Sequence, residues 1–191
     1  ELDARREIEE SLHRAGGLCI CALSCVERLS DILAGFAAEY GNADFRIGST
    51  PEGSDLLLDS AVSLDEVPAG AEVLFDEEIC IAVPDGHRFA DCGAVSLTEL
   101  ADDPFIALSG SESFQQVSEH IFRSAGIAMH AAIECDSLAL QSRLLSCGMG
   151  IALAAAGEWR QLCEEGSVHL LHIRDAECRR YIYVQQLSRF E

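Results

Sequence analysis

The sequence predicts an α/β fold of two successive lobes, and three observations carry that prediction. Short, wholly apolar runs of strand length alternate with stretches whose apolar residues recur at three and four. Those helical stretches open on serine or aspartate and close on glycine, as helix caps do. The β-α-β order appears in both halves, which demands mostly parallel sheets and right-handed crossovers. Length permits this: 191 residues suffice for one good core or for two lobes of roughly a hundred residues each. A chain 49% hydrophobic and 24% charged is neither disordered nor fibrous.

Taken in order, Glu1 to Glu10 reads as a polar helix with too few apolar positions to pack alone, the tail of a longer helix broken at Gly16-Gly17. Leu18 to Leu23 is a strand buried on both faces. Ser24 with Glu27 fits a capping box for a helix of about four turns carrying Val26, Leu29, Leu33, Phe36 and Tyr40 and closed by Gly41-Asn42. Strands follow at Phe45 to Gly48 and Asp55 to Val62, with Ser49 to Gly53 as the turn between them. Ser63 to Glu66 starts a turn or short helix, and a long strand runs from Ala71 to Val83. In the second half Ser96 and Glu99 form another capping box before the strand Pro104 to Leu108. Phe114, Val117, Ile121 and Ala125 line a helix stopped by Gly126. A strand at Ala131 to Cys135 leads to a helix capped by Asp136-Ser137. The strand Gly150 to Ala154, a short helix near Glu158 to Cys163, and the strands Val168 to Ile173 and Arg180 to Gln185 complete the order.

Charge and cysteine content exclude several functions. Thirteen basic residues against 33 acidic ones give a net charge of −20, with no dense basic block, so this chain alone is not expected to hold a polyanion such as DNA. No apolar run approaches the roughly 18 residues of a membrane span, and the charged opening does not read as a signal peptide, which leaves the cytoplasm as the expected compartment. Nine cysteines, an odd number scattered through strand-like segments, read as reduced small hydrophobes rather than a disulfide framework. Cys19, Cys21 and Cys25 form C-x-C-x3-C, with Cys25 expected in the first helical turn, where the dipole lowers a thiol pKa. No second pair at zinc-site spacing accompanies them. The six histidines are dispersed; His87 reads as a structural hydrogen-bonder, and His169 and His172 face opposite sides of a strand. Catalytic residues, a metal site and a cofactor are therefore not expected, and no nucleophile elbow or phosphate loop is legible.

Five segments in order resemble the regulatory domain of LysR-type transcription regulators. Gly17 to Ala22 looks like that family's passage from linker helix to first strand, and Phe36-Ala37-Ala38-Glu39-Tyr40 like its first helix end, with Gly41 where proline is usual. Ile81 to Ala90, with Val83-Pro84 and His87, is similar to its crossover. Val95 to Ile106 and Gly148-Met149-Gly150-Ile151-Ala152-Leu153 complete the resemblance. It implies two Rossmann-like lobes of the type 2 periplasmic-binding-protein kind, joined by crossover strands, with a small-molecule effector between them. Residues 1–16 would end the linker helix, 17–83 plus 157–191 would form the first lobe, and 84–156 the second. The resemblance further implies a homodimer or higher homo-oligomer that uses Val26 to Tyr40 and Phe114 to Ala125, and DNA contact only through a helix-turn-helix domain preceding Glu1. The stretch from Ile47 to Leu56 is about ten residues shorter than in that family, and its C-terminal helix is missing after Gln185. Some such regulators sense peroxide through a cysteine pair; the matching turn here, Ser109 to Ser113, has none. A solute-binding protein of a transporter shares the fold and is the alternative.

Ligands of doubly wound folds sit at the carboxyl ends of parallel strands, where orphan helix-start amides suit an anion. Ser24, Ser49, Thr50, Ser109, Ser111, Ser113 and Ser137 occupy such positions, though each also reads as a cap. The resemblance adds that the places of Ser24, Thr50 and Ser109 line the family's cleft. A small anionic effector is expected, with Arg46 or Arg143 as a counter-charge.

Overall fold

A computed structural model describes residues 17–40, 44–164 and 166–187. The opening helix through residue 16 and the Gly41-Asn42 helix closure lie outside the described residues. The first unit is the expected one. Strand β1 (Leu18–Ala22) leads to α1 (Val26–Tyr40), and β1 then pairs parallel with both β2 (Phe45–Gly48) and β3 (Leu56–Ala61). Leu18, Ile20, Ala22, Leu29 and Leu58 close a small core under this sheet with Ile182, while Leu33, Phe45, Leu56 and Phe75 pack around it.

One long strand carries the chain out of this lobe. The first half of β4 (Glu72–Pro84) runs antiparallel to the last strand, β10 (Arg179–Gln186), which also lies antiparallel to β3. Its second half runs antiparallel to β8 (Ala152–Ala155) and β9 (Val168–Ile173). Strand alternation then serves two cores at once: Ile79, Ile81 and Val83 enter the large core with Leu97, Leu100, Phe105, Ile121, Phe122, Ile151 and Leu171, whereas Ala82 faces a second one around Ile106, Leu145, Ala154 and Trp159. The sheets are therefore mixed rather than mostly parallel, because the crossover strands β4 and β10 return against their neighbours. Strand β9 hydrogen-bonds to the second half of β4 and to β5 (Ala94–Val95).

The rest of the second lobe follows the predicted grammar. Strands β6 (Phe105–Leu108) and β7 (Ala131–Cys135) are parallel, and Ile151 bridges the start of β6, accepting from the Ile106 amide and donating to the carbonyl of Pro104 just before the strand. Helix α2 (Glu112–Ser124) buries Phe114, Val117, Ile121 and Phe122, and Ser111 accepts from the Phe114 amide as its cap. Helix α3 (Leu138–Ser146) is capped by Ser137, and α4 (Arg160–Glu164) is one short turn.

The capping box at Ser96 forms, with Glu99 accepting from the Ser96 amide at 2.8 Å. A partner not legible in the sequence joins it. Asp175, from the β9–β10 turn, accepts from the Leu97 amide at 2.9 Å, the Thr98 amide at 3.4 Å and the Ser96 hydroxyl. Partial burial pushes the Asp175 carboxyl up, but those hydrogen bonds outweigh it and hold the group below the ordinary aspartate value. Because the folded value is the lower one, the contribution is complete above the unfolded aspartate pKa near ~4 and is lost as pH falls through the folded value. Asp175→Asn is expected to cost about 1 kcal/mol near neutrality, a drop of about 2–4 °C in the thermal midpoint. In melts at pH 7 and pH 3 the deficit should be smaller at the lower pH, which lies below the unfolded aspartate value; an equal deficit at both would refute the charge assignment.

Candidate functional site

A cleft of about 740 Å³ opens between the carboxyl end of β1 and the start of α2. Ser24, Ser49, Ser111 and Ser113 line it, together with Asp59, Ser60, Phe114, Asp136, Glu158, Arg180 and Tyr183. Four of the seven predicted serine and threonine positions thus meet in one place. Thr50 is exposed and lines no part of the cleft; its carbonyl accepts from Ser54 Oγ at 3.0 Å. Ser109 turns away, its hydroxyl donating to the Cys135 carbonyl at 3.1 Å, and lines a separate, smaller cavity. Ser137 serves as the α3 cap, its Oγ accepting from the Leu140 amide at 3.4 Å.

The two lobes touch through the serines. Ser24 Oγ lies 2.9 Å from Ser113 Oγ and 3.0 Å from Ser60 Oγ, and donates to Asp59 Oδ1 at 3.2 Å. Ser111 Oγ donates across to the Leu23 carbonyl at 3.3 Å. Ser24 is therefore not the α1 cap it was expected to be. The first helical bonds of α1 are accepted one residue later, where the Cys25 carbonyl takes the Arg28 and Leu29 amides. Cys25 reaches that geometry at φ 54°, in the left-handed region that a side chain rarely occupies.

Below the cleft lies a charged group that the sequence did not reveal. Arg180, 2% exposed, donates to Glu77 Oε2 through Nε (3.0 Å) and Nη2 (2.7 Å), and to Glu158 Oε1 through Nη2 at 2.6 Å. Its Nη2 is also 3.3 Å from Cys25 Sγ, and its guanidinium lies 5.5 Å from the Phe114 ring centre. The other oxygen of Glu77 accepts from the Gly157 amide at 2.9 Å. Burial opposes the Arg180 charge, yet the Glu158, Cys25 and Glu77 side chains hold its pKa above the usual arginine value. Strand phase was the available signal: Arg180 shares a face of β10 with buried Ile182, whereas Arg179 points out to Asp76. The expected counter-charges, Arg46 and Arg143, are exposed and line no part of the cleft.

The Cys25 thiol is a second correction. Burial pushes it up to about 12; Arg180 pulls the other way, and the Glu77 and Glu158 charges add to the rise. Desolvation among carboxylates overrides any helix dipole. Donor atoms of Cys25, Glu77 and Glu158 lie within 4.8 Å of one another, as do those of Glu78, Cys80 and His172. In the first group the Arg180 guanidinium already satisfies the donors. In the second, His172 Nδ1 sits 2.6 Å from Glu78 Oε1 beside a buried thiol that burial also pushes up to about 12. In the native protein a thiol reagent at pH 8 should modify exposed Cys92 and Cys147 and spare Cys25, Cys80 and Cys178. Peptide mass mapping checks this, and rapid labelling of Cys25 would contradict the burial argument.

The comparisons with known proteins agree with this architecture. Residues 13–188 match the family described as the LysR substrate binding domain. The transcriptional activator protein LysR of Escherichia coli is 27% identical over 168 residues, covering 80% of this chain and 53% of its own length. An uncharacterized HTH-type regulator of Bacillus subtilis, YybE, is 23% identical over 161 residues, covering 80% of this chain and 54% of its own length. The chain thus spans about half the length of the curated relatives it matches. Among solved structures, the regulatory domain of Synechocystis CcmR in complex with 2-PG superposes with a TM-score of 0.74 at 18% identity, covering 91% of this chain and 88% of that one. The effector-binding domain of QuiR in complex with shikimate gives 0.72 at 18% identity, covering 92% and 89%. Family match and shared two-lobed fold lead to one conclusion: the chain belongs to the LysR substrate-binding domain family.

Proposed function

We propose that this chain is the effector-sensing part of a LysR-type transcription regulator, binding a small molecule in the interlobe cleft. The observation that carries the reading is the seam of Ser24, Ser60, Ser111 and Ser113, where hydroxyls of both lobes already meet under a cleft of about 740 Å³. A molecule that replaces those contacts with bonds to both lobes binds the closed arrangement better than an open one, and shifts the equilibrium by that difference. The proposed lobes follow the hydrogen bonding: 17–78 with β10 on one side, and 79–173 on the other. Ser49 contributes from the rim, while Thr50, Ser109 and Ser137 act through the turns and caps that shape the walls.

The charges around the cleft refine the expected anion. Asp59, Glu66, Glu112, Asp136 and Glu158 line it, and Arg180, its basic side chain among the described residues, is already neutralised. An anionic group is therefore received by α2-start amides rather than by a free cation, and a positive group on the same molecule gains Asp59 and Asp136. In the full-length protein the bias passes to a preceding helix-turn-helix domain, in the cytoplasm, through a homodimer in which the outer face of α1 takes part; Val26 (51% exposed) and Ile32 (44%) sit on that face. The buried face of α2, with Phe114, Val117 and Ile121, belongs to the core, so only its outer face is free for such contact. The regulator relatives favour this reading over a transporter's solute-binding protein and over an enzyme.

The test is a thermal-shift screen over carboxylates, amino acids and aromatic acids. A ligand at a hundred times its Kd adds about 2.7 kcal/mol, several degrees for a domain of this size. The gain is expected to be larger for amino-bearing acids than for plain ones, and to be lost in Ser49→Trp, which plugs the rim. A screen in which nothing stabilises the protein defeats the reading.

A further inference from the structure

Of the two groups of mixed donors, the one around Cys25 already holds a cation, the Arg180 guanidinium. No arginine among the described residues bonds to the other, made of Glu78, Cys80 and His172. Strand alternation sets Glu78 and Cys80 on one face of β4. Strand β9 runs antiparallel beside it with Leu171 opposite Ile81, so the next step of the ladder brings His172 alongside Cys80. One carboxylate oxygen, one sulfur and one imidazole nitrogen thereby lie within 4.8 Å of one another. Arg179, the ladder partner of Glu78, is drawn off to Asp76. Cys80 is the unusual member. It is 2% exposed and makes no hydrogen bond among the described residues. Cys25, Cys135 and Cys178 each pack into one of the three apolar cores, and Cys80 into none of them. Burial pushes its thiol up to about 12, and the Glu78, Cys178, Cys163 and Glu77 charges add to the rise, so the surroundings favour a cation beside the sulfur.

We propose that Glu78, Cys80 and His172 form a zinc site, with Cys80 Sγ, His172 Nδ1 and a Glu78 carboxylate oxygen as the three protein ligands. Thiolate with imidazole selects a borderline-soft ion such as Zn²⁺ over Mg²⁺ or Ca²⁺. Tetrahedral zinc, with bonds of about 2.0–2.3 Å, holds its donors about 3.3–3.8 Å apart. No pair here need close by more than about 1.5 Å from its present separation. The ion takes the place of the proton between His172 Nδ1 and Glu78 Oε1, now 2.6 Å apart. His172 then binds as the neutral ring with its hydrogen on Nε2. Cys80 binds as thiolate: the S–H bond breaks, the sulfur lone pair forms the zinc–sulfur bond, and the proton leaves to solvent. The entry path is open, since the His172 side chain is 66% exposed and that of Glu78 38%, with the buried sulfur at the base. A water completes the fourth position. None of the three residues lines the cleft. Glu78 stands where β4 changes partner from β10 to β8, so the ion would tie β9 to that joint. Its outer ligands are 94 positions apart, which is why no spacing motif announces the site.

The experiment adds Zn²⁺ to the untagged, chelator-treated protein and reads the bound metal by native mass spectrometry after gel filtration. One ion per chain is expected to be retained, and excess Mg²⁺ should not displace it. Co²⁺ in its place should give the near-ultraviolet charge-transfer band of a cobalt–thiolate bond, and Cys80→Ser should lose that band. Because a change at buried Cys80 can disturb folding, His172→Ala provides an independent arm: its side chain is largely exposed, so the variant should keep its melting midpoint. Removing a group that merely orients a ligand costs 10–100-fold in affinity, so loss of a direct ligand should weaken zinc binding by at least about a hundred-fold. Replacing the two exposed thiols, Cys92→Ser with Cys147→Ser, should leave binding unchanged. Failure to retain zinc, a cobalt spectrum without the thiolate band, wild-type affinity in His172→Ala, or loss of binding in the Cys92 and Cys147 double variant overturns the proposal.

Discussion

Replacing Arg180 with alanine is expected to destabilise the domain by about 3–5 kcal/mol, because it leaves two carboxylates buried without their counter-ion. At 2–4 °C per kcal/mol for a chain of this size, the melting midpoint should fall by roughly 10 °C. Glu77 is 5% exposed and Glu158 9%, so neither can turn to bulk water without opening the seam between the lobes. The Phe114 ring would lose the guanidinium that covers it, and Cys25 its nearest donor. Arg180→Lys should recover part of the loss, since three of the four contacts converge on Nη2, where one ammonium can stand, while the Nε bond that makes the Glu77 contact two-pronged is lost. Removing the partners together is the informative control. Arg180→Met combined with Glu77→Gln and Glu158→Gln should be more stable than Arg180→Ala, because the cost lies in the unpaired charges and not in the absence of the triad. Urea unfolding of the three proteins measures the difference, and a loss below about 1 kcal/mol for Arg180→Ala would show that water reaches the group.

This cluster also marks where sequence reading stops. Period and caps located the strands and helices, since local rules govern them: the 3.6-residue repeat of Phe114, Val117 and Ile121 becomes the buried face of α2, and Ser137 caps α3 as expected. The path of β4 was harder, because one run from Glu72 to Pro84 serves two sheets, and nothing in its sequence says where the partner changes. The destination of β9 depends on that same change. Within the cleft, helix starts were legible and their serines converge, but only the three-dimensional crossing of lobes brings Ser24 to Ser113, 89 positions apart. The triad joins positions 77, 158 and 180, from β4, the loop before α4 and β10; a charged residue in a strand looks like surface until its partners are known. Asp175 escaped for the same reason, as a cap supplied from 77 to 79 positions away.

Gly110→Ala should be the most damaging single-methyl change in the cleft. A Cβ built on Gly110 falls 1.9 Å from the Asp136 carbonyl oxygen and 2.7 Å from its carbon. Both neighbours are backbone, so no side chain can swing aside. The turns after β6 and β7 lie in contact here, pinned by the Ser109 amide donating to the Cys135 carbonyl at 2.7 Å. Adding a methyl must push them apart, moving Ser111 and Ser113 on one side and Asp136 with the α3 cap on the other. Overpacking of this kind costs about 1–3 kcal/mol, and the loss of cleft response should exceed what that stability loss explains. Gly35→Ala separates the two effects. Gly35 lies on the exposed face of α1, where an added methyl meets nothing within 4 Å, so the change should stabilise by about 0.5–1 kcal/mol through helix propensity. The double variant then restores much of the melting temperature while the serines stay displaced. If ligand-induced stabilisation returns along with the melting temperature, Gly110 matters for folding alone; if it stays absent, the close approach of the two turns is what sets the cleft.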